Sequence, residues 1–214
     1  MNLNDYYWYF KSVIPAKICD RIVETGLAKQ DEVALTGGIN PKKGIKKKEL
    51  LDLKKLRISN VAWLDNKWIY KAIQPYIHEA NKNAGWNFDW DYSETCQFTK
   101  YKKGQHYGWH CDAWPVPYGT GVDNTTLNKN TLGKIRKLSV TVSLSDDKDY
   151  NGGDLEFDFR NTNPDKKPNR QICKEIRSKG SIVVFPSHVW HRVKPVTKGI
   201  RHSLVIWNLG YPFK

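Results

Sequence analysis

His110-Cys111-Asp112 is the segment of this chain best equipped for chemistry. His110 and Asp112 stand two positions apart, and in a β-strand that spacing puts both side chains on one face, with Cys111 on the other. His191 lies far downstream, so only a folded sheet or barrel can bring it to the pair. Two imidazoles and one carboxylate on one face of an octahedral metal leave three positions open, a ligand set that suits non-haem Fe(II). Arg201 follows His191 beyond the segment Val196-Thr197-Lys198-Gly199, which reads as a turn. A hairpin there aims a guanidinium into the same cavity, and its fixed fork of donors suits a dicarboxylate cosubstrate such as 2-oxoglutarate. Ser203 shares a strand face with Arg201 and adds a hydroxyl.

His-x-Asp alone is a weak signal, and its surroundings strengthen it. Tyr101-Lys102-Lys103-Gly104-Gln105-His106-Tyr107-Gly108-Trp109 precedes the pair, and Gly152-Gly153-Asp154-Leu155-Glu156-Phe157 follows it. Gly180-Ser181-Ile182-Val183-Val184-Phe185-Pro186 leads to His191, and Arg201-His202-Ser203-Leu204-Val205-Ile206-Trp207 closes the run. In this order and spacing, over roughly residues 94–208, the chain resembles the 2-oxoglutarate- and Fe(II)-dependent oxygenases, and among them the prolyl 4-hydroxylase-type catalytic domain.

The resemblance implies iron at His110, Asp112 and His191, with 2-oxoglutarate and O2 consumed, succinate and CO2 released, and ascorbate as accessory reductant. It implies that Tyr101 donates to the distal carboxylate held by Arg201, and that Leu155 and Phe185 wall the cosubstrate pocket. Some prolyl hydroxylases carry threonine where Leu155 stands, so that polar contact is missing here. Tyr107 and Trp207 match aromatic positions that flank the substrate proline. Trp109 and Trp190 alternate away from the ligand face and read as core. His106 and His188 are near the ligands but off register.

A chain of 214 residues is expected to form one domain with a real core. We expect helical support over about 1–85 and a catalytic β core over about 86–210. Nine Trp, eleven Tyr and seven Phe can fill a β-sandwich or line a cleft. Four scattered cysteines without a Cys-x-x-Cys pair argue against a zinc ribbon and for a reducing compartment. With no apparent signal peptide and no membrane-length apolar run, the expected location is cytoplasmic.

Helices come first and strands later, with turns at short intervals. This pattern predicts an α+β fold, a double-stranded β-helix (jelly-roll, cupin-like) buttressed by N-terminal helices. Pro15 is placed at the first position of a helix reaching Gln30, and Pro75 is expected to kink or break a helix over 67–83. Strands are expected at 56–64, 94–101, 107–112, 137–144, 154–159, 181–185, 190–193 and 201–207. Trp86, Phe88, Trp90 and Tyr92 alternate like a further strand. The segment 113–132, rich in Pro, Gly, Asn and Thr, reads as a substrate lid.

The formal charge is +13, and much of it lies in the run from Lys42 to Arg57, which reads as a mobile basic stretch able to meet an acidic or RNA-associated partner. The leading function is hydroxylation of proline in a protein or peptide. Nucleic-acid demethylation is a rival, but alkylated-base demethylases usually carry a second arginine six residues beyond the first, where this chain has Trp207. A free amino-acid hydroxylase is a third reading, and a non-catalytic RNA-binding barrel comes from a different class.

Overall fold

In residues 138–143 apolar and hydroxyl side chains alternate, Leu-Ser-Val-Thr-Val-Ser, and this pattern organises the molecule. They lie in strand β7 (Ile135–Ser143). Leu138, Val140 and Val142 enter a core shared with the helices, while Ser139, Thr141 and Ser143 take the opposite face. The same division recurs on three neighbours: β14 (Arg201–Gly210), β5 (Cys96–Tyr101) and β11 (Ile182–Pro186). The structure, a computed structural model, describes residues 3–29, 32–34, 47–114, 116–120, 128–159 and 169–213.

All strand pairings are antiparallel along the path β1 (Trp8–Phe10), β11, β7, β14, β5, β3 (Arg57–Leu64), β6 (His106–His110), β12 (Trp190–Val193), β9 (Leu155–Asp158) and β10 (Arg170–Ile172). Strand β3 turns the path from one sheet into the next. Its residues Asn60 to Leu64 pair with β5, whereas Arg57 and Ile58 pair with β6. The result is a double-stranded β-helix. Short strands β2 (Glu32–Ala34) and β4 (Tyr92–Ser93) extend it at β3 and β14, and β8 (Tyr150–Gly152) pairs separately with β13 (Val196–Gly199).

Helices α1 (Ala16–Ala28) and α3 (Lys67–Asn83) cover the outer face of the larger sheet. Ile69, Ile73, Ile77 and Ala80 recur at helical spacing and are all buried. Helix α1 sits so close to β5 that a Cβ on Gly26 would enter the ring of Phe98. Among the described residues no helix is long and apolar enough to cross a membrane, and all four cysteines are free thiols.

Several local expectations are corrected. Pro15 is the N-cap rather than the first helical residue, and α1 stops at Ala28. Helix α3 runs through Pro75 without a break. Pro75 is on the exposed side, and the buried isoleucine face holds the helix against the roughly 3 kcal/mol cost of an interior proline. The alternating aromatics yield only β4: Asn87 has φ 51°, and the backbone of Phe88 bonds to the Asn81 side chain instead of to a strand. Trp86, Phe88 and Trp90 pack partly against the core.

Residues Lys47–Leu56 form helix α2, not a loop or the start of a strand, consistent with a composition of Lys, Leu and Glu, which favour helix. The rest of the basic stretch, 42–46, lies outside the described residues, as do 115 and 121–127 of the expected lid. Val196–Gly199 is a strand paired with β8, not a turn, so Arg201 is placed by β5 and β7 on either side of β14 and not by a hairpin. Trp109 and Trp190 are not core residues. Both are half-buried, and Trp109 lies under two guanidinium groups, 5.3 Å from Arg170 and 4.7 Å from Arg192.

Candidate active site

His110 ends β6 and His191 lies in β12, and the two are cross-strand partners. Asp112 lies just beyond the strand, so strand alternation does not place it, contrary to the expectation of a strand over 107–112. The backbone N–H groups of Asp112 and Ala113 both donate to the Ser187 carbonyl at 2.9 Å. Ser139 donates to the Asp112 carboxylate and exchanges a 2.9 Å hydrogen bond with the Ser187 hydroxyl. The Asp112 oxygens lie 3.7 Å from Nε2 of His110 and 3.7 Å from Nε2 of His191, and the donor atoms of all three residues fall within 4.8 Å of one another.

The second nitrogen of each ring is already committed. His110 Nδ1 donates to the Gly108 carbonyl at 2.8 Å, and His191 Nδ1 donates to the Val189 carbonyl at 3.0 Å. Those bonds select the tautomer whose Nε2 lone pair is free, and they fix the ring planes. Burial, with His191 close by, pushes His110 down to about 3, so its ring is neutral near neutral pH. Burial pushes the Asp112 carboxyl up, but the two histidines, Arg136 and the Ser139 hydrogen bond outweigh it and hold the group below its usual range. Two imidazole Nε2 atoms and one carboxylate, converging and already oriented, fit a divalent iron.

Tyr107 and His110 have opposite parity on β6, yet both face this site. The ladder pairs His191 with His110 but Val193 with Tyr107, a bulge of one extra residue on β6. The Tyr107 ring lies parallel to the imidazole with centroids 3.5 Å apart. Burial raises the Tyr107 hydroxyl to about 12, so it stays protonated.

Arg201 is 2% exposed and lies directly across from Tyr101 in the β14–β5 ladder. Its Nη1 donates to the Ser203 hydroxyl at 3.2 Å, and its guanidinium carbon lies 5.5 Å from the centre of the Tyr101 ring. Among the described residues no carboxylate lies within ion-pair distance. A buried cation without an anion is costly, and an incoming carboxylate removes that cost. Space for the arginine depends on Gly153. At φ 63°, a Cβ there would lie 3.0 Å from Arg201 Cδ. Burial raises the Tyr101 hydroxyl, leaving a protonated donor beside Arg201. Leu155 and Phe185 join Tyr101 in one buried cluster. This surround fits the 2-oxoglutarate expectation.

Two further arginines come to the site, and the sequence reading did not single out either for it. Arg57 is 7% exposed, not part of the surface basic stretch. Its Nε donates to the Ser59 hydroxyl at 3.0 Å, its guanidinium lies 4.4 Å from the centre of the Tyr107 ring, and its Nη2 has no partner among the described residues. Arg136 forms a two-pronged pair with Glu94, at 2.8 and 2.6 Å. Its guanidinium also covers Trp207 at 4.0 Å from the ring centre. A β-bulge near Lys137 re-aims β7 at this point, where the β14 register shifts between Asn208 and Leu209. Trp207 is thus brought beside Arg136 and, at 6.3 Å, Trp63. His106 caps α2 by donating to the Lys55 carbonyl at 2.8 Å, and His188 is exposed.

This curled sheet, with two histidines and an aspartate at its mouth and a buried arginine inside, is the architecture of an iron- and 2-oxoglutarate-using oxygenase. Residues 96–208 match the model of the 2OG-Fe(II) oxygenase superfamily, and the chain belongs to that superfamily. A PKHD-type hydroxylase of Pseudoalteromonas atlantica is 32% identical over 111 residues, covering 52% of this chain and 41% of the relative. Another, from Sphingopyxis alaskensis, is 35% identical over 103 residues, covering 48% and 38%. The chain therefore spans well under two thirds of the length of these relatives. In fold it is similar to the viral collagen prolyl hydroxylase of Paramecium Bursaria Chlorella virus-1 (TM-score 0.60, 18% identity, 96% of each chain covered). It is likewise similar to a Pseudomonas putida prolyl-4-hydroxylase (TM-score 0.61, 18% identity, 96% of this chain and 94% of that one).

Proposed function

We propose that this protein hydroxylates a prolyl residue in a peptide or protein, using Fe(II), 2-oxoglutarate and O2 and releasing succinate and CO2. The observation that carries the reading is the convergence of His110, Asp112 and His191 beside a buried Arg201 that has no carboxylate partner among the described residues. Bound iron with 2-oxoglutarate supplies the oxidising power; the chain binds, orients and keeps water out. In this reading Arg201 takes the distal carboxylate as a charge-assisted pair, Tyr101 and Ser203 add hydroxyl contacts, and Leu155 and Phe185 keep that end of the cavity dry. Tyr107 and Trp207 offer aromatic surfaces to a pyrrolidine ring. The 214 residues act as one catalytic unit, the N-terminal helices bracing the barrel.

The prolyl substrate is supported by the fold likeness to two prolyl hydroxylases and by the hydroxylase relatives. The test is turnover of proline-containing peptides against methylated oligonucleotides and free amino acids under one set of conditions, with and without ascorbate. We expect one oxygen atom added to proline, matched by succinate. Demethylation of an oligonucleotide with no peptide modified would move the protein to the rival class.

A further inference from the structure

Strands β8 and β13 form a two-stranded ribbon that is separate from the main sheet. The ribbon nevertheless bears on the buried arginine of the site. The turn Gly152-Gly153 follows β8, and a Cβ on Gly153 would lie 3.0 Å from Arg201 Cδ, 3.0 Å from Val196 Cγ2 and 3.4 Å from the Tyr150 ring. The backbone of this turn is therefore one wall of the slot that holds the Arg201 stem. Both glycines sit at positive φ, 70° and 63°. Glycine permits that geometry but does not enforce it, since its backbone is equally free on either side of φ zero. One backbone bond, from Gly153 N–H to the Pro195 carbonyl at 3.0 Å, ties the turn to the segment before β13.

The remaining restraint comes from elsewhere in the chain. Arg177 ends the short 3-10 helix Lys174–Arg177 and reaches across to the turn. Its Nη1 donates to the Asp154 carboxylate at 2.7 Å and to the Gly152 carbonyl at 3.3 Å, and its Nη2 donates to the Tyr150 carbonyl at 3.5 Å. Its guanidinium also lies 5.0 Å from the centre of the buried Tyr150 ring, the ring that borders Gly153. One rigid fork thus grips residues 150, 152 and 154, on both sides of Gly153. An exposed ion pair contributes little, but here the Arg177 side chain is 27% exposed and most of its contacts are to backbone. Asp154 is itself anchored from a second side: the Lys194 N–H donates to its carbonyl at 2.9 Å, and Lys194 Nζ lies 3.8 Å from its carboxylate.

We propose that Arg177 is a positioning residue for cosubstrate recognition. By fixing the Gly152-Gly153 turn it sets where the Arg201 guanidinium stands, and so how well the distal carboxylate of 2-oxoglutarate is held. This role rests on the reading of Arg201 as the 2-oxoglutarate anchor. It confines the influence of Arg177 to one end of the cosubstrate, the end far from the metal.

The test is calorimetric binding of two 2-oxo acids to the protein loaded with Mn(II) without oxygen. One is 2-oxoglutarate; the other is 2-oxopentanoate, which carries a methyl group in place of the distal carboxylate. The wild type should prefer 2-oxoglutarate. Arg177→Met should cut that preference by about tenfold, within the range for residues coupled through a shared contact, and should do so by weakening 2-oxoglutarate alone. Arg177→Lys, which keeps the charge but not the fork, should recover part of the loss. In an Arg201→Ala background, Arg177→Met should change neither affinity. Asp154→Asn provides a second route to the same turn should Arg177→Met fold poorly, and it should lower the preference in the same direction. Equal weakening of both acids, an undiminished effect in Arg201→Ala, or wild-type preference in Arg177→Met and Asp154→Asn overturns the proposal and leaves Arg177 a purely structural residue. A wild type with no preference for 2-oxoglutarate over 2-oxopentanoate removes the reading of Arg201 itself, and the role of Arg177 falls with it.

Discussion

The ring of Tyr107 lies flat on the imidazole of His110, with centroids 3.5 Å apart and planes 11° from parallel. The contact exists because β6 carries one extra residue between the two pairings with β12. Arg57 closes the other side of the tyrosine. The histidine is therefore held by the Gly108 carbonyl in its plane and by an aromatic ring on its face. An aromatic pair contributes about 0.5–1.5 kcal/mol beyond area burial. We predict that Tyr107→Ala weakens Mn(II) binding by roughly three- to tenfold, whereas Tyr107→Phe preserves it. Equal affinities in Tyr107→Ala and wild type by calorimetry would show that the stack does not orient the ligand.

Asp112 depends on a serine pair. Ser139 reaches its carboxylate and Ser187 holds its backbone, and the two hydroxyls bond each other. His110→Ala, Asp112→Ala and His191→Ala should each abolish metal binding and 2-oxoglutarate turnover with unchanged circular dichroism. Ser139→Ala should keep the ligands but lower metal affinity by about one to two decades, the usual effect of losing a group that orients a metal ligand. Metal titration decides, and full affinity in Ser139→Ala would assign the serine to packing alone.

Arg201 and Gly153 form a second unit. Arg201→Ala should raise the 2-oxoglutarate concentration needed for half-maximal turnover by one to two decades, on the basis of about 1.5–3 kcal/mol for a charge-assisted contact, while Mn(II) affinity stays near wild type. Gly153→Val should show the same kinetic signature without touching the cosubstrate, because its side chain would press on Arg201 Cδ and Val196 in a backbone that favours glycine. If Gly153→Val altered only thermal stability, the glycine would serve the turn and not the arginine.

How much of this could be read from residues alone is uneven, for physical reasons. His110, Asp112, His191 and Arg201 stand out in the sequence because their types are chemically specific, although Asp112 lies just past the end of β6 and is placed by Ser187 rather than by strand alternation. The double-stranded β-helix followed from the order of helices and strands. Arg57 was not legible. It closes a run of lysines and reads as surface, and only the pairing of β3 with Tyr107 buries it. The Tyr107–His110 contact hid behind a bulge that reverses strand parity. Pro75 and Val196–Gly199 misled in the opposite direction, since local preference for a break or turn lost to a buried helix face and to pairing with β8. The role of Arg136 needed the register shift in β14.

The histidines also set how the metal-free protein responds to acid. In an unfolded chain histidine takes up a proton near pH 6.5, whereas His110 in the fold does so only at about 3. Between those values the unfolded state binds more protons, so stability must fall as pH falls through that window. Asp112, lowered in the fold, acts in the same direction further down, because the unfolded carboxyl protonates first. Both contributions are fully present near neutrality and are lost on acidification. We predict a lower urea midpoint at about pH 5 than at about pH 7 for protein stripped of metal. His110→Asn should reduce that difference without removing it, since His188, though solvent-exposed overall, is also lowered by partial desolvation of its ring. Mn(II) should raise the midpoint at both pH values rather than remove the difference, because His110 in the fold is already deprotonated across that range, and it should fail to protect once the ligands protonate. An identical pH response in His110→Asn and wild type would mean that the buried imidazole does not control the acid sensitivity of this site.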